Sequence, residues 1–290
     1  MLTHLKEHKT KPARVVILGS GGFVSGAVET RLKNLEVPVL ALTRNELDLT
    51  SETAGSALAA ILRSDDTLLF VSAKAPVKNE AMLIENLLMA KSVCEAIKKS
   101  AVSHMVYISS DAVYADSDKP ITESFCAQPA SLHGIMHLAR ELMLANSFDG
   151  PLCILRPTLI HGEGDPHNGY GPNRFKRQVK AGEDIQLFGN GEEKRDHVWI
   201  ADVAEIITLA ILFQSKGILN IASGEVNSFH DIAEKLVYLT GSSSQIFANP
   251  RIGPMPHNGY RAFDVSATRS VFPDFEYKKL FTVLGKSDAR

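Results

Sequence analysis

The chain has 290 residues, 44% of them apolar and 22% charged, with a net charge of -2 and a pI near 6.6. That length holds one large core or a domain with a smaller satellite, in an ordinary globular composition. Nothing in the charge balance suggests a nucleic-acid surface, the short basic runs at 98–99 and 174–180 read as solvated faces, and no apolar run reaches the roughly 18 residues a membrane helix needs.

The first residues, MLTHLKEHKTKPAR, are basic and lack the apolar core of a signal peptide, so residues 1–12 are expected to form a disordered or loosely docked arm. Residues 14–18 are a short apolar run leading into a glycine cluster. A helix follows from Gly22 to about Leu35, a strand over 37–42, a helix face at Leu58 and Ile61–Leu62, and a strand over 67–72. Met82, Leu83, Leu87, Ala90, Val93, Cys94 and Ile97 recur at helical spacing within 79–99. Then come a strand at 104–109, a helix at 132–146 and a strand at 152–155. Nearly continuous apolar strands alternating with helices predict an α/β fold, a Rossmann-type doubly wound parallel sheet covered on both faces.

After Pro157 the pattern changes. HGEGDPHNGYGPN, 161–173, reads as a loop. A basic helix at about 174–181, a strand near 185–188, a helix at 202–213 capped by Asp202, a strand at 217–221 and a helix at 228–240 capped by Ser228 follow; from Ile246 the chain reads as irregular. The division is therefore a dinucleotide-binding domain at 13–160 and a smaller, mainly C-terminal substrate-binding region at 161–290, with 217–240 returning to the first. Cys94, Cys126 and Cys153 have no metal-ligand spacing, and a reducing, cytoplasmic setting is the simplest reading.

In VVILGSGGFVSGAV, 15–28, Gly19 and Gly22 end the first strand and open the first helix. The first glycine permits a tight turn, the second lets the backbone approach a pyrophosphate, and the helix N-terminus turns its free N–H groups toward that charge. The bland reading is a glycine turn needed only for packing. The second strand runs into ALTRNELDLT with no acidic residue placed to hold the ribose hydroxyls; Arg44 stands there, flanked by Thr43 and Asn45. An arginine can pair with a 2′-phosphate, which favours NADP(H) over NAD(H); otherwise Arg44 is an exposed loop residue.

These segments resemble the extended short-chain dehydrogenase/reductase family of NAD(P)-dependent nucleotide-sugar epimerases, dehydratases and reductases, from Arg14 to about Thr240. The glycine motif is GSGGFVS, including Phe23 and Val24, with Ser25 at the third-glycine position. The resemblance implies that Asp48 and Leu49 lie near the adenine, that Ser72, Ala73 and Lys74 of FVSAKAPV pass under the cofactor, and that Asn86 supports the active-site strand. MVYISSDAVYAD matches that strand, and ILRPTLIHGEG, with Pro157, matches the strand ending at the nicotinamide. In LFGNGEEKRDHVWIADVAE the resemblance makes Arg195 a diphosphate contact; the residues themselves also allow it to pair with Glu192, Glu193 or Asp196. Asn173, Arg174 and Arg195 converge on an anionic ligand if the long loop folds over the cleft. Trp199 could stack on a base, although its apolar strand favours core packing.

The family's Tyr–Lys pair, spaced YxxxK, is missing. Ser110 holds the Ser/Thr position, with Asp111 beside it as in some dehydratases and reductases. The aligned helix ASLHGIMHLARELML puts His133 at the tyrosine position and His137 at the lysine position. Gly134 and Glu141 match what usually surrounds the pair. None of the six tyrosines has a lysine four residues later. Three readings stay open. His133 is the acid/base, its imidazole exchanging protons at a pKa of about 6.5, with Ser110 polarising the substrate oxygen and His137 bonding the ribose. Or the protein binds a dinucleotide without chemistry, as a sensor, scaffold or partner subunit. Or the i,i+4 histidines hold zinc with help from His161 or His167; a remaining variant brings in Tyr170 from the loop. The first is the working expectation: an NADP(H)-dependent enzyme of a nucleotide-linked sugar, without a metal, and a homodimer through helices 79–99 and 131–146.

Overall fold

The computed structural model describes residues 1–284. Strand and helix alternate from the start: β1 (Thr3–His4), β2 (Arg14–Leu18), α1 (Phe23–Asn34), β3 (Val39–Leu42), α2 (Ala54–Ile61), β4 (Asp66–Phe70), α3 (Glu80–Lys99), β5 (His104–Ile108), α4 (Leu132–Ala145) and β6 (Leu152–Pro157). The second half carries β7 (Leu159–His161), α5 (Pro172–Ala181), β8 (Ile185–Phe188), β9 (Lys194–Trp199), α6 (Ile200–Leu212), β10 (Ser215–Ile221), β11 (Val226–Ser228), α7 (Phe229–Thr240), β12 (Ile246–Asn249), β13 (Tyr260–Arg261), α8 (Ser266–Val271) and α9 (Leu280–Val283).

The main sheet has the order β1-β10-β6-β5-β4-β2-β3, parallel except where β1 pairs with β10. Strand alternation explains its two faces. Val15 and Ile17 of β2 pack with Val28 and Leu32 of α1 and with Val203, Ile206 and Ile207 of α6. Val16 and Leu18 face the other way, toward Leu58 of α2, Val93 and Ile97 of α3, and Leu144 of α4. Both faces are therefore dry, and β4 and β5 are buried throughout. From β2 the chain moves to β3 on one side and then crosses to β4 on the other. That reversal opens a crevice at the carboxyl ends of the strands, where ligands bind in doubly wound folds.

The N-terminal arm is docked, contrary to the loose segment expected. Thr3 and His4 pair with Lys216 and Ser215, and Leu2 is buried. His4 Nδ1 lies 2.8 Å from Ser215 Oγ, its Nε2 2.8 Å from the Val271 carbonyl, and its ring stacks on Phe213. Gly217 permits this approach: at φ +106, an added Cβ would lie 2.4 Å from the Met1 carbonyl oxygen. A two-residue strand has too few residues to show periodicity.

Of the stretch 217–240 expected to return to the sheet, β10 lies beside β6, whereas α7 packs away from it. Phe229, Ile232 and Leu236 of α7 join Phe175 and Val179 of α5 and Ile185 and Leu187 of β8 in a separate satellite core. Beside that core, β11, β9 and β13 form a second sheet in that order, with β7 also paired to β9. The region after 246 is more ordered than expected, because β12 pairs with β8 and β13 with β9. Ser228 caps α7 by accepting the Asp231 N–H at 3.0 Å. Asp202 does not cap: α6 begins at Ile200, and the Asp202 carboxylate accepts the Lys278 N–H at 2.7 Å. Among the described residues no helix is long and apolar enough to cross a membrane.

Candidate active site

Gly19 sits at φ +92, and a Cβ there would lie 2.8 Å from the Ser72 backbone, so the turn after β2 presses directly on the end of β4. Ser25, at the third-glycine position, is fully buried. Its hydroxyl donates to the Gly19 carbonyl at 2.7 Å and accepts the Gly22 N–H at 3.0 Å. The serine thus clamps the glycine turn, while the first turn of α1, with Phe23 and Val24, borders the crevice. An N-terminal helix turn presents backbone donors and the positive end of the helix dipole, a fit for a pyrophosphate.

The crevice is a cleft of about 940 Å³. Gly19, Gly22, Phe23 and Val24 form one wall, Arg44, Asp48 and Leu49 one end, and Ser72, Ala73 and Lys74 the rim over β4. Ser110, Asp111, His133, His137 and Pro157 line its middle, and Asn173 and Arg195 its far side. These candidate residues thus share one cavity, whereas Arg174 and Trp199 lie outside its lining. Asn86 fixes the rim: its amide accepts the Lys74 N–H and donates to the Lys74 carbonyl, each at 3.0 Å. Arg44 is largely exposed, 3.5 Å from Asp48 and 3.9 Å from Glu85, and Lys74 also pairs with Glu85 at 2.6 Å. The Asp48 carboxylate accepts from the Thr50 N–H and hydroxyl, which holds it below the usual carboxylate range.

In the middle of the cleft, Ser110 opens a single helical turn over 111–113 and accepts the Ala112 N–H at 3.2 Å. α4 comes close to this turn because residue 134 is glycine; a Cβ there would lie 2.0 Å from the Ala112 carbonyl oxygen. Buried polar groups fix the strand behind it. Arg156 makes a bidentate pair with Glu141 at 2.9 and 2.5 Å and donates to the Tyr114 hydroxyl, while Ser109 donates to Glu141. Asp111 is buried and bonded to Arg261 Nε at 2.8 Å. One carboxylate oxygen is therefore held by β13, an interaction that the apparent irregularity of the C-terminal sequence concealed, and the other accepts the Ser110 hydroxyl at 3.4 Å.

His133 is half-buried and meets His137 edge to face, with ring centroids 4.7 Å apart. Burial lowers its pKa from the ordinary value, opposed by the charge of Asp111. His137 is buried, with Nδ1 2.8 Å from the Tyr107 hydroxyl; burial, then the neighbouring His133 and Arg140, hold its pKa well below the ordinary value. Among the described residues, the histidine, cysteine and acidic groups that gather in threes at metal-ligand spacing are His230, Asp231 and Glu234 on α7, outside the cleft. His133 and His137 form no such group with His161 or His167 among the described residues.

On the far side, the Asn173 amide is used internally: it accepts the Gly162 N–H at 2.9 Å and donates to Asp165 at 3.0 Å, fixing the long loop. Arg195 pairs with Glu193 at 3.2 Å and keeps a buried Nε without a hydrogen-bond partner among the described residues. Arg174 and Trp199 do not line the cleft. Tyr170 lines it, but its ring is packed against Phe175, Phe188 and Phe229 and its hydroxyl accepts the Phe188 N–H at 3.0 Å. His197, also in the lining, is a buried polar group that reads in the sequence only as part of an apolar strand. Tyr107 and Arg140 were likewise hidden; helical spacing from His137 was the available signal for Arg140.

Residues 15–222 match the NAD dependent epimerase/dehydratase family. An uncharacterized UDP-glucose epimerase of Bacillus subtilis is 22% identical over 285 residues, covering 93% of this chain and 87% of that protein. The UDP-glucose 4-epimerase of Thermus thermophilus, solved in complex with NAD, superposes with a TM-score of 0.83 at 20% identity, covering 94% of this chain and 97% of the other. A GDP-L-fucose synthetase from Naegleria fowleri bound to NADP gives 0.79 at 14% identity, covering 98% and 93%. With more than two thirds of its length matched, the chain belongs to the NAD dependent epimerase/dehydratase family of enzymes.

Proposed function

We propose that the protein is an NADP(H)-dependent epimerase, dehydratase or reductase of a nucleotide-linked sugar in which His133 replaces the missing tyrosine. The observation that carries this reading is the close approach of α4 to the Ser110 turn. It sets a half-buried imidazole, shifted toward its neutral form, in the same cleft as a serine hydroxyl. When bound, the dinucleotide supplies hydride acceptance or donation at a sugar carbon. His133 takes the proton from the sugar hydroxyl, and Ser110 polarises that oxygen. His137 bonds the ribose. Arg195 offers paired donors to the diphosphate, Asn173 holds the loop over it, and Arg44 faces the 2′-phosphate that distinguishes NADP.

The test is turnover of a panel of sugar nucleotides with NADPH, NADP, NADH and NAD, using His133→Ala as control. Turnover by the native chain that falls in the variant is expected; equal rates would remove His133 from the reaction. The replaced Tyr–Lys pair favours a second reading, a dinucleotide-binding sensor, scaffold or partner subunit, and tight dinucleotide binding without turnover across the panel would favour it. The three free cysteines support a reducing, cytoplasmic setting. Apolar side chains exposed on α3 and α4, among them Ile84, Ile135 and Leu142, support a homodimer through these helices.

A further inference from the structure

Tyr107 lies on β5 beneath α4, fully buried, and its hydroxyl is 2.8 Å from His137 Nδ1. Two other polar groups act on that phenol among the described residues: the Glu141 carboxylate, which is taken up by Arg156 and Ser109, and Arg140, whose guanidinium stands 5.3 Å from the ring centroid. A guanidinium has donors and no acceptor, so the phenolic proton has His137 Nδ1 as its partner. A ring nitrogen that accepts a hydrogen bond carries no hydrogen, and in a neutral imidazole the hydrogen then resides on the other nitrogen. Arg140 also opposes a second proton on this ring. It is fully buried, donates to the Ser72 carbonyl at 2.7 Å, lies over Phe70 at 4.2 Å, and bonds no carboxylate among the described residues.

We propose that Tyr107 is a positioning residue that fixes His137 as the neutral tautomer with its hydrogen on Nε2, so that α4 presents an immobile N–H donor to an oxygen acceptor of the bound dinucleotide. The donor's target rests on the function proposed above; the tautomer does not. The two histidines then play different parts. His133 is open to the cleft and exchanges a proton, whereas His137 is locked from behind and only donates. The lock spans two elements, since the phenol comes from the sheet and the imidazole from the helix. It also reaches the cofactor rim, because Arg140 bonds the carbonyl of Ser72, next to Ala73 and Lys74.

The full chain, labelled with 15N-histidine, would be studied by two-bond proton–nitrogen correlation spectra at pH 7, with His137 assigned through His137→Gln. A protonated Nε2 and an unprotonated, accepting Nδ1 are expected in the native chain. In Tyr107→Phe, which keeps the ring and removes the hydroxyl, the two tautomers should exchange, and affinity for NADPH should fall about tenfold. A native His137 that is doubly protonated or protonated at Nδ1 would overturn the proposal, with no need of the variant. An unchanged tautomer in Tyr107→Phe would equally overturn it. A shifted tautomer with unchanged NADPH affinity would remove the dinucleotide as the donor's target. The spectra need no turnover: the expected tautomer in a chain inactive on every sugar nucleotide would support this inference while defeating the proposed reaction.

Discussion

His133 and Arg44 carry the two residue-level tests of the proposed chemistry. Burial lowers the His133 pKa, so the neutral, proton-accepting form dominates at pH 7. The kcat/KM of the native enzyme should therefore rise with pH through a midpoint below the ordinary histidine value of about 6.5 and be lost as acid protonates the ring. His133→Gln should lower kcat by about 10²–10⁴-fold, the usual scale of general acid–base catalysis, and leave dinucleotide affinity intact. A variant that keeps both the rate and the acid limb would assign that limb to another group. Arg44 lies outside the reaction, so its test is binding. A charge-assisted hydrogen bond is worth about 1.5–3 kcal/mol, so Arg44→Ala should weaken NADPH by about tenfold or more and leave NADH unchanged, as read by calorimetric titration. Equal losses for both cofactors would show that the side chain supports the loop through Asp48 and Glu85 instead. The motifs that hold Gly19 and Ser110 could be read from sequence because each is contiguous, although the residue pressed against Gly19, Ser72, comes from the end of β4. Tyr107 and Arg261 could not, since the partner of each comes from a distant element.

At the scale of elements, the site depends on how α4 is anchored. Glu141 joins it to β6 through Arg156 and to the end of β5 through Ser109, all buried. Glu141→Ala would leave the Arg156 cation buried without its carboxylate, at a cost of about 3–5 kcal/mol. Urea unfolding at pH 7 measures this, and a loss under about 1 kcal/mol would mean that Arg156 finds another partner or water. β5 carries a second, pH-dependent anchor. His104 Nε2 lies 2.7 Å from the Ser215 carbonyl oxygen, and burial pushes its pKa down to about 4. Between about pH 6.5 and 4 the unfolded chain protonates this ring and the folded chain does not, so its contribution is present above 6.5 and lost as pH falls through 4. That amounts to about 3 kcal/mol. Asp196 and Asp202, pushed up to about 7 and about 6 by burial, act in the opposite sense over part of the range. The test is therefore a difference: the fall in stability on acidification should be about 3 kcal/mol smaller in His104→Gln than in the native chain, and parallel curves would refute it. The long helices could be read from apolar periodicity. β1 and β13, two residues each, could not, because only pairing across the fold defines them.

For the whole molecule, the decisive surface is the one that α3 and α4 leave uncovered. Their inner faces pack on the sheet through Ala90, Val93, Ile97 and Leu144. That packing accounts for much of the apolar periodicity seen in sequence, so periodicity alone could not establish a second interface. Accessibility separates the two faces. Ile84 and Leu88 on α3 are 56% and 41% exposed, and Ile135 and Leu142 on α4 are 43% and 63% exposed. The residues on each helix are spaced by one or two turns, so they continue along one side, and the helices pack against each other. A second copy related by a two-fold axis would bring the same four positions together and remove them from water. Leu142→Glu combined with Ile84→Glu would bury four carboxylates in that interface without altering the inner faces. Sedimentation equilibrium should give a dimer for the native chain and a monomer for the double variant, with dinucleotide binding retained because neither residue lines the cleft. A native chain that sediments as a monomer across the micromolar range would leave these side chains as scattered surface residues. A variant that stays dimeric would move the interface to another face.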